Sequence, residues 1–71
     1  MDNNQSDLQM GIRLMKDDLI YITTLVNMWN IEIKRWYTGS PEHDEYLRRI
    51  AQDTAYAADL KIKIRFFEKK I

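Results

Sequence analysis

Residues 8–36 read LQMGIRLMKDDLIYITTLVNMWNIEIKRW, and this stretch decides the fold. An apolar residue recurs along it at alternating intervals of four and three positions. The recurring residues are Leu8, Ile12, Met15, Leu19, Ile22, Val26, Trp29, Ile33 and Trp36. This spacing is typical of the a and d positions of a helix that packs lengthwise on another helix. The stretch therefore predicts one long helix with a continuous apolar seam.

The second half of the chain carries a matching stripe. Its members are Tyr46, Ile50, Asp53, Ala57, Leu60, Ile64, Phe67 and Ile71. The two stripes mirror each other about the junction of Gly39 and Ser40, so that Trp29 faces Ile50. The predicted fold is all-α, an antiparallel two-helix hairpin of the coiled-coil kind. Its register also predicts two ion pairs between the helices, Asp18 with Lys63 and Glu32 with Arg49.

Residues 38–42, TGSPE, predict the turn between the helices. Gly39 suits a left-handed backbone conformation, Ser40 suits a helix N-cap, and Pro41 suits the first position of a helix. At the other end of the chain, Ser6 or Asp7 can cap the first helix.

These signals give the predicted organisation. It is a disordered N-terminus over residues 1–5, helix 1 over about 7–37, a turn over 38–40, and helix 2 over about 41–70.

Composition narrows the class of protein. The chain has 71 residues, no cysteine, and 11 basic against 11 acidic residues. A net charge of zero disfavours nucleic acid as a partner. No apolar run reaches the roughly 20 residues of a membrane span, and the polar start does not resemble a secretory signal. We therefore expect a cytoplasmic protein that does not associate with membranes.

A hairpin of this size buries one seam and leaves the far faces of both helices exposed, so we expect homo-oligomerisation into a helical bundle. Apolar and small residues beside the seam form one stripe on each helix. The predicted oligomer interface is Leu14, Tyr21, Leu25, Met28, Leu47, Ala51, Ala58 and Ile62.

Aromatic and basic residues are adjacent near the turn. Trp36 and Tyr37 follow Lys34 and Arg35 directly, and aromatic residues are frequent hot spots of protein interfaces. These four residues are the predicted partner-binding surface, and the expected partner is an unidentified protein.

A second group of cations gathers near the open end of the hairpin. Its members are Arg13, Lys16, Lys61 and Arg65, with Glu68 and Asp17 as the nearest counter-charges. The group is interpreted as a site for a phosphate-containing ligand, as a solvated face of long side chains, or as a set of cations that form salt bridges to another subunit.

Asp53 is the one charged residue in either seam. It can bind a ligand or a partner's arginine, or it can fix the register of the helices at a cost in stability. Thr23, Asn30 and Arg49 are its predicted neighbours.

Catalytic chemistry is not expected. The chain has no glycine-rich phosphate loop, no cysteine nucleophile and no plausible serine triad. A single histidine, His43, cannot form a zinc site by itself, so neither a metal nor a cofactor is expected.

At the level of fold alone, the hairpin resembles small helical-hairpin regulators of plasmids and phages, including oligomeric phage proteins that sequester cyclic nucleotides. The favoured hypothesis is a small, non-catalytic regulatory protein that forms homo-oligomers and binds or blocks a macromolecular partner. The alternative is a protein that binds a phosphate-containing ligand or a nucleotide at the open end of the hairpin.

Overall fold

Two long helices account for nearly all of the chain. The computed structural model describes residues 3–71, with side chains from residue 5 onward. Helix α1 is Asn3–Glu32, a single 3-10 turn follows at Ile33–Arg35, and helix α2 is Pro41–Glu68. The helices pack against each other along a rod of 58 × 15 × 12 Å, and residues 3–71 contain no strand. The predicted all-α hairpin is confirmed.

The core of the hairpin consists of seam residues. Ile12 and Ile22 of α1 and Leu60 and Ile64 of α2 are its buried apolar side chains. All of them belong to the two stripes that the sequence predicted to face each other. The periodic spacing of apolar residues therefore identified the buried face of each helix. The last residue of each stripe, Trp36 and Ile71, was also predicted to lie in the seam and is exposed instead.

Contacts between the helices agree with the predicted antiparallel register. At the closed end, the ring centroid of Trp29 lies 5.7 Å from that of Tyr46, and its indole nitrogen reaches Asp53. These two contacts lie on either side of Ile50, the predicted partner of Trp29. At the open end, Lys16 pairs with Glu68 of α2.

The turn has the predicted conformation. Gly39 has a φ of +88°, and the amide of Ser40 donates to the carbonyl of Tyr37. A positive φ at the third residue of such a turn is what glycine supplies without strain. Ser40 is the N-cap of α2, because its Oγ accepts from the amide of His43 at 3.1 Å, and Pro41 occupies the first helical position.

The ends of α1 differ from their predicted positions. The helix begins at Asn3, so Ser6 and Asp7 lie inside it and do not cap it. Of the segment predicted to be disordered, residues 1 and 2 lie outside the described residues. The α-helix ends at Glu32 instead of near residue 37. The chain first tightens into the 3-10 turn, a common way to satisfy the last free carbonyl groups of a helix.

The two predicted ion pairs between the helices, Asp18 with Lys63 and Glu32 with Arg49, are wrong. The structure forms other pairs instead: Lys63 with Asp59, Arg49 with Glu45, and Glu32 with Arg35. Each new partner lies three or four positions away on the same helix or its 3-10 extension. Such neighbours are close enough to compete with a carboxylate on the opposite helix.

Candidate functional site

The closed tip of the hairpin presents the four residues predicted to bind a partner. Lys34 and Arg35 lie in the 3-10 turn, Trp36 has an extended backbone, and Tyr37 begins the turn that Gly39 completes. Tyr37 is 90% exposed and Trp36 is 41% exposed. Tyr37 therefore projects into solvent, whereas Trp36 is partly covered by its neighbours and partly accessible.

The two cations at the tip are available for binding. Arg35 lies 3.7 Å from Glu32, a long and solvent-exposed pair that contributes little stability. Within the described residues, Lys34 has no ion-pair partner. The tip therefore combines apolar surface with accessible positive charge.

A shallow depression lies beside the tip. Its volume is about 310 Å³. It is lined by Trp36, Pro41, Glu42, Glu45, Tyr46 and Arg49. Trp36 is the member of the predicted partner-binding set that contributes to this depression. The depression thus combines aromatic side chains with two acids and one arginine, and neither Lys34 nor Arg35 lines it.

Glu45 holds two arginines in place on the same side of α2. Its Oε2 accepts from Arg48 Nη2 at 2.7 Å and from Arg49 Nε at 3.0 Å. The hydrogen bonds from Arg48 and then Arg49 lower the pKa of the Glu45 carboxyl below its ordinary 4.5. With its guanidinium anchored in this way, Arg49 lies 5.1 Å from the ring centroid of Trp29 and 5.5 Å from that of Tyr46.

Asp53, the charged residue of the seam, has a partner that the sequence did not identify. Its Oδ2 accepts a 2.9 Å hydrogen bond from Trp29 Nε1, and both side chains are partly buried. Asn30, one of the predicted neighbours, donates to the carbonyl of Val26 instead. In the predicted register Trp29 faces Ile50, and Asp53 is the next residue of the same stripe. This closeness could have predicted the bond.

The predicted basic group at the open end is divided between two grooves. The larger groove has a volume of about 410 Å³. It is lined by Gln9, Ile12, Arg13, Lys16, Asp17, Glu68 and Ile71. Lys16 Nζ lies 2.8 Å from Glu68 Oε2, so this cation is paired. Arg13 has no ion-pair partner among the described residues.

Lys61 lines the second groove, nearer the middle of the hairpin, with a volume of about 210 Å³. The other residues around this groove are Thr23, Val26, Asn27, Thr54, Ala57 and Ala58. Arg65 lines neither groove. The structure therefore brings Arg13 and Lys16 together at one groove, beside two carboxylates.

Most of the predicted oligomer interface is exposed on the hairpin. Leu14, Tyr21 and Met28 project from α1, and Leu47 and Ile62 project from α2. Leu25 is half-buried, whereas Ala51 and Ala58 are exposed. Additional large apolar side chains that the prediction omitted share this exposure. They are Met10, Ile20, Ile31, Tyr56, Phe66 and Ile71.

A second polar contact joins the helices at mid-length. The hydroxyl of Tyr56 donates to Oδ2 of Asp18. This bond, together with the partial desolvation of the phenol, raises the pKa of Tyr56 above its ordinary 10.0. Sequence reasoning missed the contact because it assigned Asp18 to Lys63.

Neither helix of the described chain has an apolar stretch of the length needed to span a bilayer. Over the same residues, no group of three or more metal-ligating side chains is arranged around a common point.

The fold and surface together define an α-helical hairpin with an aromatic tip and apolar outer faces. Comparison of the chain with known protein families, with curated proteins and with solved structures found no match.

Proposed function

We propose that this chain is a non-catalytic interaction protein that self-associates and uses its closed tip to bind, and so regulate or block, a macromolecular partner. The observation that carries the proposal is the 90% exposure of Tyr37 beside Trp36, which is 41% exposed. Exposed aromatic side chains next to each other are typical anchors of protein interfaces.

The charges around these rings suggest the chemistry of the partner. Lys34 and Arg35 lie directly before the two aromatic residues, and charges at the edge of a binding surface steer association. We therefore propose a protein partner whose surface combines an apolar pocket with acidic residues. The aromatic rings would fill the pocket, and the cations would orient the complex.

Self-association is the second part of the proposal. The buried core is limited to Ile12, Ile22, Leu60 and Ile64, whereas large apolar side chains project from both helices. Exposed apolar surface on this scale is unusual for a monomer and is typical of a protein that forms oligomers.

The binding role of the tip is tested by site-specific photo-cross-linking in cells that produce the protein naturally. A benzophenone side chain replaces Tyr37 in one variant and Gln52, an exposed residue of α2, in the control. We expect one cross-linked species that is specific to position 37 and that weakens when Lys34→Glu is added. Identical products from both positions, or none from position 37, would overturn the binding role.

A second candidate function is the binding of a phosphate-containing ligand, such as a nucleotide, in the larger open-end groove. The observation that favours it is the presence of Arg13 and Lys16 on the wall of that groove. Isothermal titration calorimetry with nucleotides at low and at high salt tests this candidate, with Arg13→Gln as the matched variant. Absence of heat at low salt would eliminate it.

A further inference from the structure

Helix α1 carries a second apolar stripe on the side that faces away from α2. Its positions again alternate between steps of four and three residues: Met10, Leu14, Asp17, Tyr21, Thr24, Met28 and Ile31. The apolar members are strongly exposed, at 63% for Met10, 62% for Leu14, 61% for Tyr21, 48% for Met28 and 62% for Ile31. A hairpin needs one seam on each helix, but α1 has two.

A helix with apolar seams on two sides is typical of the interior of a bundle, where it has a neighbour on each side. We infer that the outer seam of α1 packs against the same seam of a second copy of this chain, with the two α1 helices antiparallel about a two-fold axis near Tyr21. This inference rests on the self-association in the proposed function and assigns it a surface and an orientation.

The size of the outer seam suits a dimer. From Met10 to Ile31 it is about 32 Å long, at about 1.5 Å per residue. The exposed fractions of its five apolar residues add up to about three complete side chains, or about 600 Å² per copy at roughly 200 Å² for a large side chain. Two copies would bury about 1,200 Å², the lower limit of a stable specific interface.

Helix α2 offers less on its outer face. Leu47, Ile62 and Phe66 are large and exposed, but Ala51, Ala55 and Ala58 separate Leu47 from the other two. This face provides less apolar area than the outer seam of α1. We therefore assign the two-fold contact to α1.

Charge favours the antiparallel orientation. In a parallel dimer with matched registers, Asp17 would lie opposite its own copy inside the seam, and like charges in that position repel. Turning one helix about an axis near Tyr21 places Asp17 opposite Thr24 of the second copy. The same rotation brings Met10 opposite Ile31 and makes the interface self-complementary, as a two-fold dimer requires.

The surface is tested by measuring solution mass with light scattering. We expect the native chain to have twice its single-chain mass of 8.6 kDa. Replacing Leu14 and Met28 together by glutamate should halve the measured mass while circular dichroism remains helical. The matched control replaces Leu47 and Ile62 of α2 by glutamate and should retain the native mass.

The orientation is tested with single cysteines, which are unambiguous because the chain has no cysteine of its own. Treated with a short bismaleimide, Tyr21→Cys should cross-link to itself. Met10→Cys should cross-link to Ile31→Cys in a mixture but not to itself. These substitutions are mild, so they report the interface even if the glutamate variants fail to fold.

The outcomes separate the inference from the proposed function. A single-chain mass at all concentrations would overturn both the inference and the self-association. A native dimer that dissociates only with the α2 substitutions would retain self-association and overturn the inference. Efficient cross-linking of Met10→Cys to itself would overturn the antiparallel orientation.

Discussion

The indole of Trp29 on α1 donates a hydrogen bond to the carboxylate of Asp53 on α2, and this bond joins the helices through polar atoms inside their apolar seam. Asp53 is thereby accommodated at a position that normally holds an apolar residue. The bond also depends on register, because sliding one helix by a turn would leave a partly buried carboxylate without its donor.

We predict that Trp29→Phe and Asp53→Ala, which remove the donor and the acceptor of this bond, are coupled. Phenylalanine retains most of the ring but removes the donor, so it should destabilise the hairpin by about 1–2 kcal/mol. A double-mutant cycle, measured by urea unfolding at one fixed protein concentration, should give a coupling energy of about 1 kcal/mol. The control, Trp36→Phe at the exposed tip, should change stability by less than about 0.5 kcal/mol. Additive effects of the two seam substitutions would contradict this role.

Acid should weaken the closed end of the hairpin through Glu45. The pKa of Glu45 is lowered in the folded state by its bonds to Arg48 and Arg49, so its stabilising effect is fully present above the ordinary value of 4.5. That effect is lost as the pH falls from 4.5 through the lowered folded-state pKa. Thermal unfolding between pH 7 and pH 3 should therefore show a smaller acid-induced loss in Glu45→Gln than in the native chain. An equal acid-induced loss of stability in Glu45→Gln and in the native chain would exclude this role of Glu45. The control is Glu42→Gln, which removes an acid that forms no ion pair with an arginine among the described residues.

Alkali should weaken the middle of the hairpin. The pKa of Tyr56 is raised by its bond to Asp18, so the protonated phenol contributes stability below pH 10.0, and this contribution disappears as the pH rises through the folded-state pKa. We expect the phenol of Tyr56, identified in an absorbance titration as the ionisation that Tyr56→Phe removes, to ionise above pH 10.0. Asp18→Asn should move this ionisation back toward pH 10.0. If Asp18→Asn leaves the ionisation of Tyr56 unchanged, the bond does not persist in solution.

Sequence patterns predicted the backbone of this protein better than its polar contacts. The mirrored stripes identified the buried faces because burial depends on the helical period, which a sequence displays directly. The turn could also be predicted from the sequence, since Gly39 and Ser40 each suit one backbone conformation.

The polar contacts depend instead on side-chain length and direction. Arg49 could reach Glu32 across the seam or Glu45 on its own helix, and the sequence does not distinguish these partners. Long side chains on helices also lean toward the N-terminus, which displaces their contacts by up to a turn. The same freedom in side-chain direction explains why Lys61 lines a different groove from Arg13 and Lys16.

The two glycines should respond to alanine in opposite ways. Gly11 lies inside α1, and a Cβ added there meets nothing within 4 Å. Gly11→Ala should therefore stabilise the chain by about 0.5–1 kcal/mol. Gly39 has a φ of +88°, so Gly39→Ala should destabilise the chain by about 1 kcal/mol or more, although the space around it is equally open. Chemical unfolding of both variants under one set of conditions measures the two changes in the free energy of unfolding. Changes of the same sign would contradict the prediction.

The small core should make single truncations severe. Leu60 is among the few buried side chains of the hairpin, and Leu60→Ala should cost about 2–5 kcal/mol. At about 0.05–0.15 kcal/mol per residue, a chain of this length has a total stability of a few to about 10 kcal/mol. Loss of helical circular dichroism at 25 °C, or a large fall in the midpoint of unfolding, is therefore expected for this variant. Phe67→Leu, a milder change in the same seam, should remain folded. If Leu60→Ala unfolds at the native midpoint, the hairpin seam is not the principal source of stability.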